Sequence, residues 1–572
     1  MGTSGARTGY KIFCFNTTIR NPKRNTQFLE AFKPFDGKLM DDLNLYNYLF
    51  ALVRAGVYQF LHLDNSVKAK IEAGIMLDPA EVRTAIADNP QATGLSGRVM
   101  THLRSLKDQG FLKFVDDIVT NKPYVYITGL GNALINNTVD ASIIYTKAMI
   151  GNHAFNPART SQLNKSIPFL NTIFVINDIN KWNEEHGKPQ KGILRHEFSY
   201  FVLSLKDCNY KKAVNDILEY RKLYGTSINE AYLAKHLSKN GILPVAHSTA
   251  MTYGDEVFRK FAMTSLIVEH GKFSHIYVNF SEYNLEKIKT ILDAYQGYSF
   301  KTFKNQDAYY KYLEDIVLPW ETNEMLRRQI IKTKASVLKI PLDPTMTLDQ
   351  QEEMLDRVFY SQALAKVISK TELPFIYKEL LILANRCKEK SKLDDIAEPL
   401  RLEYLLALLL GKKYGPTGLV SNIIYDEEGL PLHHAPSNKA DIIYHSLDGN
   451  YILEPTMQSS RDQQLNSETT NIVRHVQTEE SRTGFKYRVA MIAPKVHPDV
   501  VDYFSFSASK NKVKIAALSI AFSTILFEKS NSISELNINF DPVVQESMVK
   551  TSTEFADAIN GAVLPTQLKS LC

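Results

Sequence analysis

Two carboxylates thirteen residues apart, Asp441 and Glu454, stand in the segment ADIIYHSLDGNYILEPTM. Its two apolar runs flank Asp448-Gly449, a pair suited to the positive φ angles of a two-residue hairpin turn. With that turn, Leu447 pairs with Asn450, Tyr444 with Leu453, Ile443 with Glu454 and Asp441 with Thr456. Alternate residues of a strand share a face, so Asp441 and Glu454 are expected as diagonal neighbours, their Cα atoms roughly 7–8 Å apart. Carboxylates so placed can share a divalent cation, because Mg2+ takes oxygen ligands at about 2.1 Å and keeps water positions open for a substrate. A blander reading stays open, with Asp441 as a polar strand start and Glu454 as a surface acid.

The flanking segments decide between the two. About Arg461 to Gln477 has the length and polarity of a helix, and Gln464, Glu468, Ile472 and His475 fall on one face of it. Upstream, RLEYLLALLLG embeds Glu403 among leucines, where a carboxylate is costly unless paired or ligated. Downstream, YRVAMIAP reads as a buried strand. Helix with Glu403, strand with Asp441, strand with Glu454, helix, strand is the element order of a PD-(D/E)xK nuclease core. That order predicts an α/β nuclease domain over residues 399–572 and hydrolysis of a phosphodiester, with a metal polarising the phosphate and lowering the pKa of a bound water. Pro455 donates no ladder hydrogen bond, so its strand must be bulged or unpaired on one side there.

Nucleic-acid binding has its own residues. Arg20, Lys23, Arg24, Lys33 and Lys38 crowd one stretch, with only Glu30 and Asp36 against them. From Ser96 to Lys107 a helical pattern puts Val99, Leu103 and Leu106 on one face and ends at Gly110, a C-cap signal. FLKFV and YVYIT then flank a polar turn with Asn121 and Pro123, a hairpin pattern. Helix plus small hairpin is the shape of a winged helix. A softer second copy has a helix from about Asp255 to Glu269, a stop at Gly271, the strand HIYVNF and another helix. The first helix of such a unit enters the major groove, which makes Arg98, His102, Arg104 and Lys107 candidates in the first copy and Tyr253, Arg259 and Lys260 in the second. Most exposed Arg and Lys, however, only solvate a helix face.

A chain of 572 residues exceeds what one core supports, and several domains are expected. The organisation read from the sequence is a multi-domain α+β protein: a winged-helix-like recognition subdomain over 1–150, a second over 151–304, a helical linker over 305–398 with a break at IPLDPTMT, and the nuclease domain. The formal charge of +5 excludes little. Cys14, Cys208, Cys387 and Cys572 lie far apart with no zinc-ligand spacing, a pattern that fits a reducing cytoplasm. MGTSGARTGYKIF lacks the apolar core of a signal peptide, and the apolar run from Ile515 to Phe527, too short to span a bilayer, reads as a buried helix. No membrane association is expected.

These stretches together resemble the AlwI-type type IIS restriction endonucleases, a family that includes site-specific nicking enzymes. TTIRNPKR followed by FKPFDGK is similar to the family's opening motif, and the two winged-helix segments sit where it has recognition subdomains. His434-Ala435, Asn438 and Asp441, then Glu454 and Thr456, then Gln464, Glu468 and Arg474-His475 are similar to its active-site block. The resemblance implies Asp441, Glu454 and Glu468 as ligands of Mg2+, His475 completing the site and Glu403 as the helix acid. It implies double-stranded DNA with a short specific site as substrate, cut a few bases away, and a transient dimer or small second subunit where both strands are broken. A strand-specific nicking enzyme, or the large subunit of a heterodimeric one, is the alternative. A DNA-binding regulator with a degenerate nuclease domain is disfavoured, because a dead domain has no reason to keep Asp441, Glu454 and Glu468 together. The nuclease fold usually has lysine two residues after the second acid; here it is Thr456, so water activation falls to His475 or Gln464.

Overall fold

Among the described residues, apolar periodicity sorts the chain into helix-rich stretches around four small sheets. The computed structural model describes residues 19, 21–54, 57–58, 67, 78–87, 95–136, 140–158, 164–242, 245–271, 276–394, 396–435, 439–458, 461 and 464–572. They divide into two units, residues 1–49 with 93–352 and residues 50–92 with 353–572.

In the first unit, α1 (Asn25–Phe32), β1 (Lys38–Leu39), α2 (Leu95–Asp108), β2 (Leu112–Asp116) and β3 (Pro123–Ile127) build one subdomain. Helix α2 stops where Gly110 takes φ +88°, and the Gly110 and Phe111 amides donate to the Lys107 and Leu106 carbonyls. Strands β2 and β3 form the expected hairpin, Leu112 opposite Ile127, and β1 adds on the far side of β3 for an order β1-β3-β2. Val99, Leu103 and Leu106 of α2 are buried, as are Phe28, Leu29 and Phe32 of α1.

The second copy departs from the sequence expectation. Its helix α3 is His247–Ala262 rather than Asp255 to Glu269, and Ile267–His270 is a strand, β5, antiparallel to β6 (Tyr277–Phe280). The Thr264 hydroxyl caps the Phe261 carbonyl and Ser265 turns at φ +58°, after which the β-branched pair Ile267-Val268 takes the extended form. With β4 (Ile193–Leu194) on the other side of β6, the order β4-β6-β5 repeats that of the first subdomain. The stretch 305–398, expected as a linker, is not a separate spacer. Its Tyr310 hydroxyl donates to the Leu112 carbonyl at 2.8 Å, and the unit boundary falls inside α4 (Leu348–Lys370).

In the second unit, α5 (Glu398–Tyr414) carries Pro399 in its first turn and ends at Gly415, φ +98°. Every residue from Leu400 to Gly411 is buried, so this helix is the spine of the core. It packs on β7 (Leu419–Ser421), β9 (Pro431–His433), β10 (Ile442–Tyr444) and β11 (Asn450–Pro455); β8 (Ile424–Tyr425) pairs with β9. The sheet continues through α6 (Thr470–Thr483), β12 (Tyr487–Ala493), α7 (Pro498–Asn511) and β13 (Lys514–Ser519) in the order β13-β12-β11-β10-β7. Pairs β7·β10 and β10·β11 are antiparallel; β11·β12 and β12·β13 are parallel. The run Ile515 to Phe527, expected as one helix, is split between β13 and α8 (Ile520–Lys529), because Ser519 caps the helix by accepting from the Phe522 amide. Among the described residues no helix is long and apolar enough to cross a membrane. Cys387 and Cys572, 185 residues apart, are joined in a disulfide where the sequence suggests reduced thiols.

Candidate active site

The hairpin that carries the two carboxylates pairs two residues tighter than expected: Ile442 with Leu453, Ile443 with Ile452, Tyr444 with Tyr451. Neither Asp448 nor Gly449 takes the positive φ of a two-residue turn. The chain instead bends over Ser446–Gly449, and the Asp448 carbonyl accepts from Asn537 Nδ2 at 2.8 Å. A shift of two keeps every side chain on its face, but it moves Asp441 from a diagonal place to one directly across from Glu454. The contact is direct, since both the backbone N–H and the side chain of Asp441 hydrogen-bond to the Glu454 carboxyl. Pro455 closes β11 beyond the last pair with β10, so its missing N–H faces no partner strand there, and the Thr456 amide resumes bonding to the Ile492 carbonyl at 2.8 Å.

Glu454 is buried, and His475 of α6 places Nδ1 3.0 Å from its Oε1. Burial raises the Glu454 carboxyl above the usual carboxylate range, opposed by the hydrogen bond and charge of His475 and by the hydrogen bonds from Asp441. Gln464 opens a π-helical turn (Gln464–Thr469) and is fully buried. Its Nε2 donates to the Gln458 and Lys495 carbonyls, both at 2.7 Å, and its Oε1 accepts from the His497 amide at 3.2 Å. With those bonds made, Gln464 is a structural bracket, which corrects its reading as a water-orienting group. The Glu468 side chain lies outside the described residues.

Glu403 projects from α5 and is buried. His434, the first residue of the His434-Ala435 motif, sets Nδ1 2.5 Å from Glu403 Oε1. Glu403 Oε2 is buried and makes no hydrogen bond among the described residues. The signal that could have found the pair was the cost of a lone acid among leucines.

The donor set fits a hard divalent cation. Two carboxyls in hydrogen-bond contact cannot both ionise unless a proton or a cation joins them, and carboxylate oxygens with water are what Mg2+ takes. No group of three or more His, Cys, Asp or Glu side chains among the described residues is arranged to hold a metal.

The candidate DNA contacts separate by burial. Arg98 and Arg104 are exposed on α2. His102 is buried against Phe28, ring centroids 5.1 Å apart, and burial, with the charge of Arg24, pushes its pKa down to about 4. Lys260 is fully buried and donates to the Glu256 carbonyl at 3.2 Å. Both are core residues, which corrects their reading as base contacts. Arg259 is half-buried and bonds Asp255 at 3.0 Å, and Asp255 also takes Arg195 at 2.6 Å. Lys107 lies over the Phe114 ring at 5.0 Å and Arg24 over Phe28 at 5.8 Å. Lys23 and Tyr253 are half-buried, and Arg20 lies outside the described residues.

A family model described as AlwI restriction endonuclease matches residues 110–527. Among solved structures, the small subunit of the heterodimeric restriction endonuclease R.BspD6I is 14% identical over 31% of this chain and 92% of that chain, TM-score 0.26. Restriction endonuclease FokI is 11% identical over 92% of this chain and 96% of that chain, TM-score 0.24. No curated protein matches.

Proposed function

Because the chain belongs to the AlwI restriction endonuclease family, we propose that its first unit reads a short double-stranded DNA site and its second unit cuts a few bases away, as a type IIS enzyme does. Two subdomains of one topology, helix followed by hairpin with the strand orders β1-β3-β2 and β4-β6-β5, support a winged-helix reading of the first unit. The succession α5, β7, β10, β11, α6, β12 supports a PD-(D/E)xK reading of the second. One observation carries the proposal: Asp441 directly opposite the buried Glu454 and hydrogen-bonded to it.

Asp441 and Glu454, joined by Glu468, would hold Mg2+, which when bound polarises the phosphate and lowers the pKa of a coordinated water. The His475 ring, with Nδ1 3.0 Å from Glu454 Oε1, orients that carboxyl before any ligand arrives.

The test is incubation of the protein with supercoiled plasmid and Mg2+, followed by sequencing of the ends. Cutting at a fixed offset from one short site is expected. Asp441→Asn and Glu454→Gln should each lose at least about 10²–10³-fold in cleavage, with binding to the cognate duplex retained. Near-normal cutting by either variant places the chemistry elsewhere.

A further inference from the structure

The Cys387–Cys572 disulfide joins residues 185 apart within the second unit. Their Cα atoms stand 4.9 Å apart, inside the range a disulfide bridges without moving the backbone. Cys387 is half-buried against the core, whereas Cys572 is exposed, so a thiol or disulfide in solution reaches one end of the bond. In a reducing compartment, which the wide cysteine spacing fits, a disulfide that forms is usually transient and redox-sensing. We propose that Cys387 and Cys572 form a reversible redox clasp that steadies the Glu454 end of the sheet, so that cleavage is faster with the bond closed. The effect on cleavage rests on the nuclease reading of the second unit.

The segment that ends in Cys572 is pinned beside the bond. Arg386, the neighbour of Cys387, donates from Nη2 to the Asn560 carbonyl at 2.8 Å. Phe555, Ile559 and Leu568 are buried in the core, and the Ser519 hydroxyl donates to the Ile559 carbonyl at 2.7 Å.

Asn560 then reaches the supports of the candidate site. Its Oδ1 accepts from the Val496 amide and its Nδ2 donates to the Val496 carbonyl, both at 2.8 Å. Val496 lies between Lys495 and His497, whose carbonyl and amide are the backbone groups that Gln464 holds. The stretch 495–497 is therefore gripped by Asn560 and by Gln464 at once. Gln464 opens the turn Gln464–Thr469, which contains Glu468. The same stretch follows the end of β12, where Met491 pairs with Glu454 and Ile492 with Pro455.

A cross-link over so long a span removes chain entropy from the released state. With the thiols reduced, nothing covalent returns the segment 561–572 to Cys387, and its release lets Asn560 shift with it.

Closure is a two-electron exchange. The Cys572 thiolate attacks a low-molecular-weight disulfide and expels one thiol, and the Cys387 thiolate then attacks Cys572 Sγ and expels the second. Two protein thiols are oxidised, the reagent disulfide is reduced to two thiols, and the two protons pass to them. A dithiol reverses both steps.

The test compares the full chain with Cys387→Ser and Cys572→Ser, each equilibrated with oxidised glutathione or with dithiothreitol. Oxidised wild type should take up two fewer alkylating labels than reduced wild type. On reduction, amide hydrogen exchange over 493–497 and 553–572 should speed up, and cleavage of a single-site plasmid with Mg2+ should slow by about 2–30-fold. Both variants should behave alike in the two buffers. Equal label uptake by the wild type overturns the clasp. So does a bond that forms while exchange over 493–497 stays unchanged, or while the plasmid is cut at one rate in both buffers. Exchange that responds to reduction, with no cutting in either buffer, counts against the nuclease reading and leaves the clasp itself standing.

Discussion

At the residue scale, burial decides which side chains carry charge. His102 and His153 are both buried and held at a pKa of about 4, by desolvation first and then by the charges of Arg24 and Lys301 respectively. Their folded pKa lies below the ordinary 6.5, so the folded protein keeps both neutral while the unfolded chain protonates them. The stability they contribute is present above pH 6.5 and is lost as pH falls toward 4. At 1.36 kcal/mol per pKa unit each is worth about 3 kcal/mol over that window. Denaturation midpoints of the wild type should drop between neutral pH and pH 4.5, and His102→Gln should flatten part of that slope. Identical acid slopes for the two proteins would show that His102 is already charged in the fold.

At the element scale, the faces of α2 and α3 determine what each substitution reports. Arg98 and Arg104 point outward from α2. Replacing either by Ala should weaken DNA binding. A base contact would cost about 1–3 kcal/mol of discrimination between sites, whereas a phosphate contact would weaken all sequences and lower the salt slope by about 1. Titrations against cognate and scrambled duplexes at two salt concentrations tell these apart, and unchanged binding in both variants removes α2 from the interface. Helix α3 makes a packing prediction instead. A Cβ on Gly254 would sit 1.9 Å from Ser199 Oγ, in the π-helical turn Phe198–Val202. Gly254→Ala should therefore cost about 1–3 kcal/mol by overpacking, and Ser199→Gly in the same chain should recover most of it. An unchanged unfolding midpoint for Gly254→Ala would contradict this close approach.

At the scale of the whole molecule, the count of sites sets the products. If the opposed Asp441–Glu454 pair is the cutting site, a docked monomer is expected to break one strand at a time. A plasmid with a single site should be nicked first, with linear product appearing later and faster at higher protein concentration as a second copy, or a small second subunit, supplies the other cut. Nicked and linear plasmid rising together, independent of concentration, would contradict one cut per docking. The same scale corrects where a binding fragment ends. The helix carrying Tyr310 completes the hairpin at Leu112, so a chain cut near residue 300 would lose part of its first unit's core, while the unit's own limit is Glu352.

What the sequence determined by itself was parity and inventory. Alternation along a strand is local, so Asp441 and Glu454 were legible as sharing a face, and leucines on both sides of Glu403 marked a buried helix acid in need of a partner. Register was not legible, because a slip of two leaves that alternation unchanged, and only the turn over Ser446–Gly449, tied to Asn537, brought the two acids face to face. Nor was the split between inward and outward cations. Arg104 and Lys260 look alike in a helical pattern, and packing from distant parts of the chain, as Phe28 does for His102, decides which side chains reach solvent. Helix and strand at Leu266–Glu269 and Ile515–Ser519 likewise waited on partner strands, since an unbroken apolar run has no period of its own. The pairing of His434 with Glu403, thirty-one residues apart, belongs to tertiary structure alone. The sequence could price a lone acid in an apolar helix, and only the fold could say which imidazole answers it.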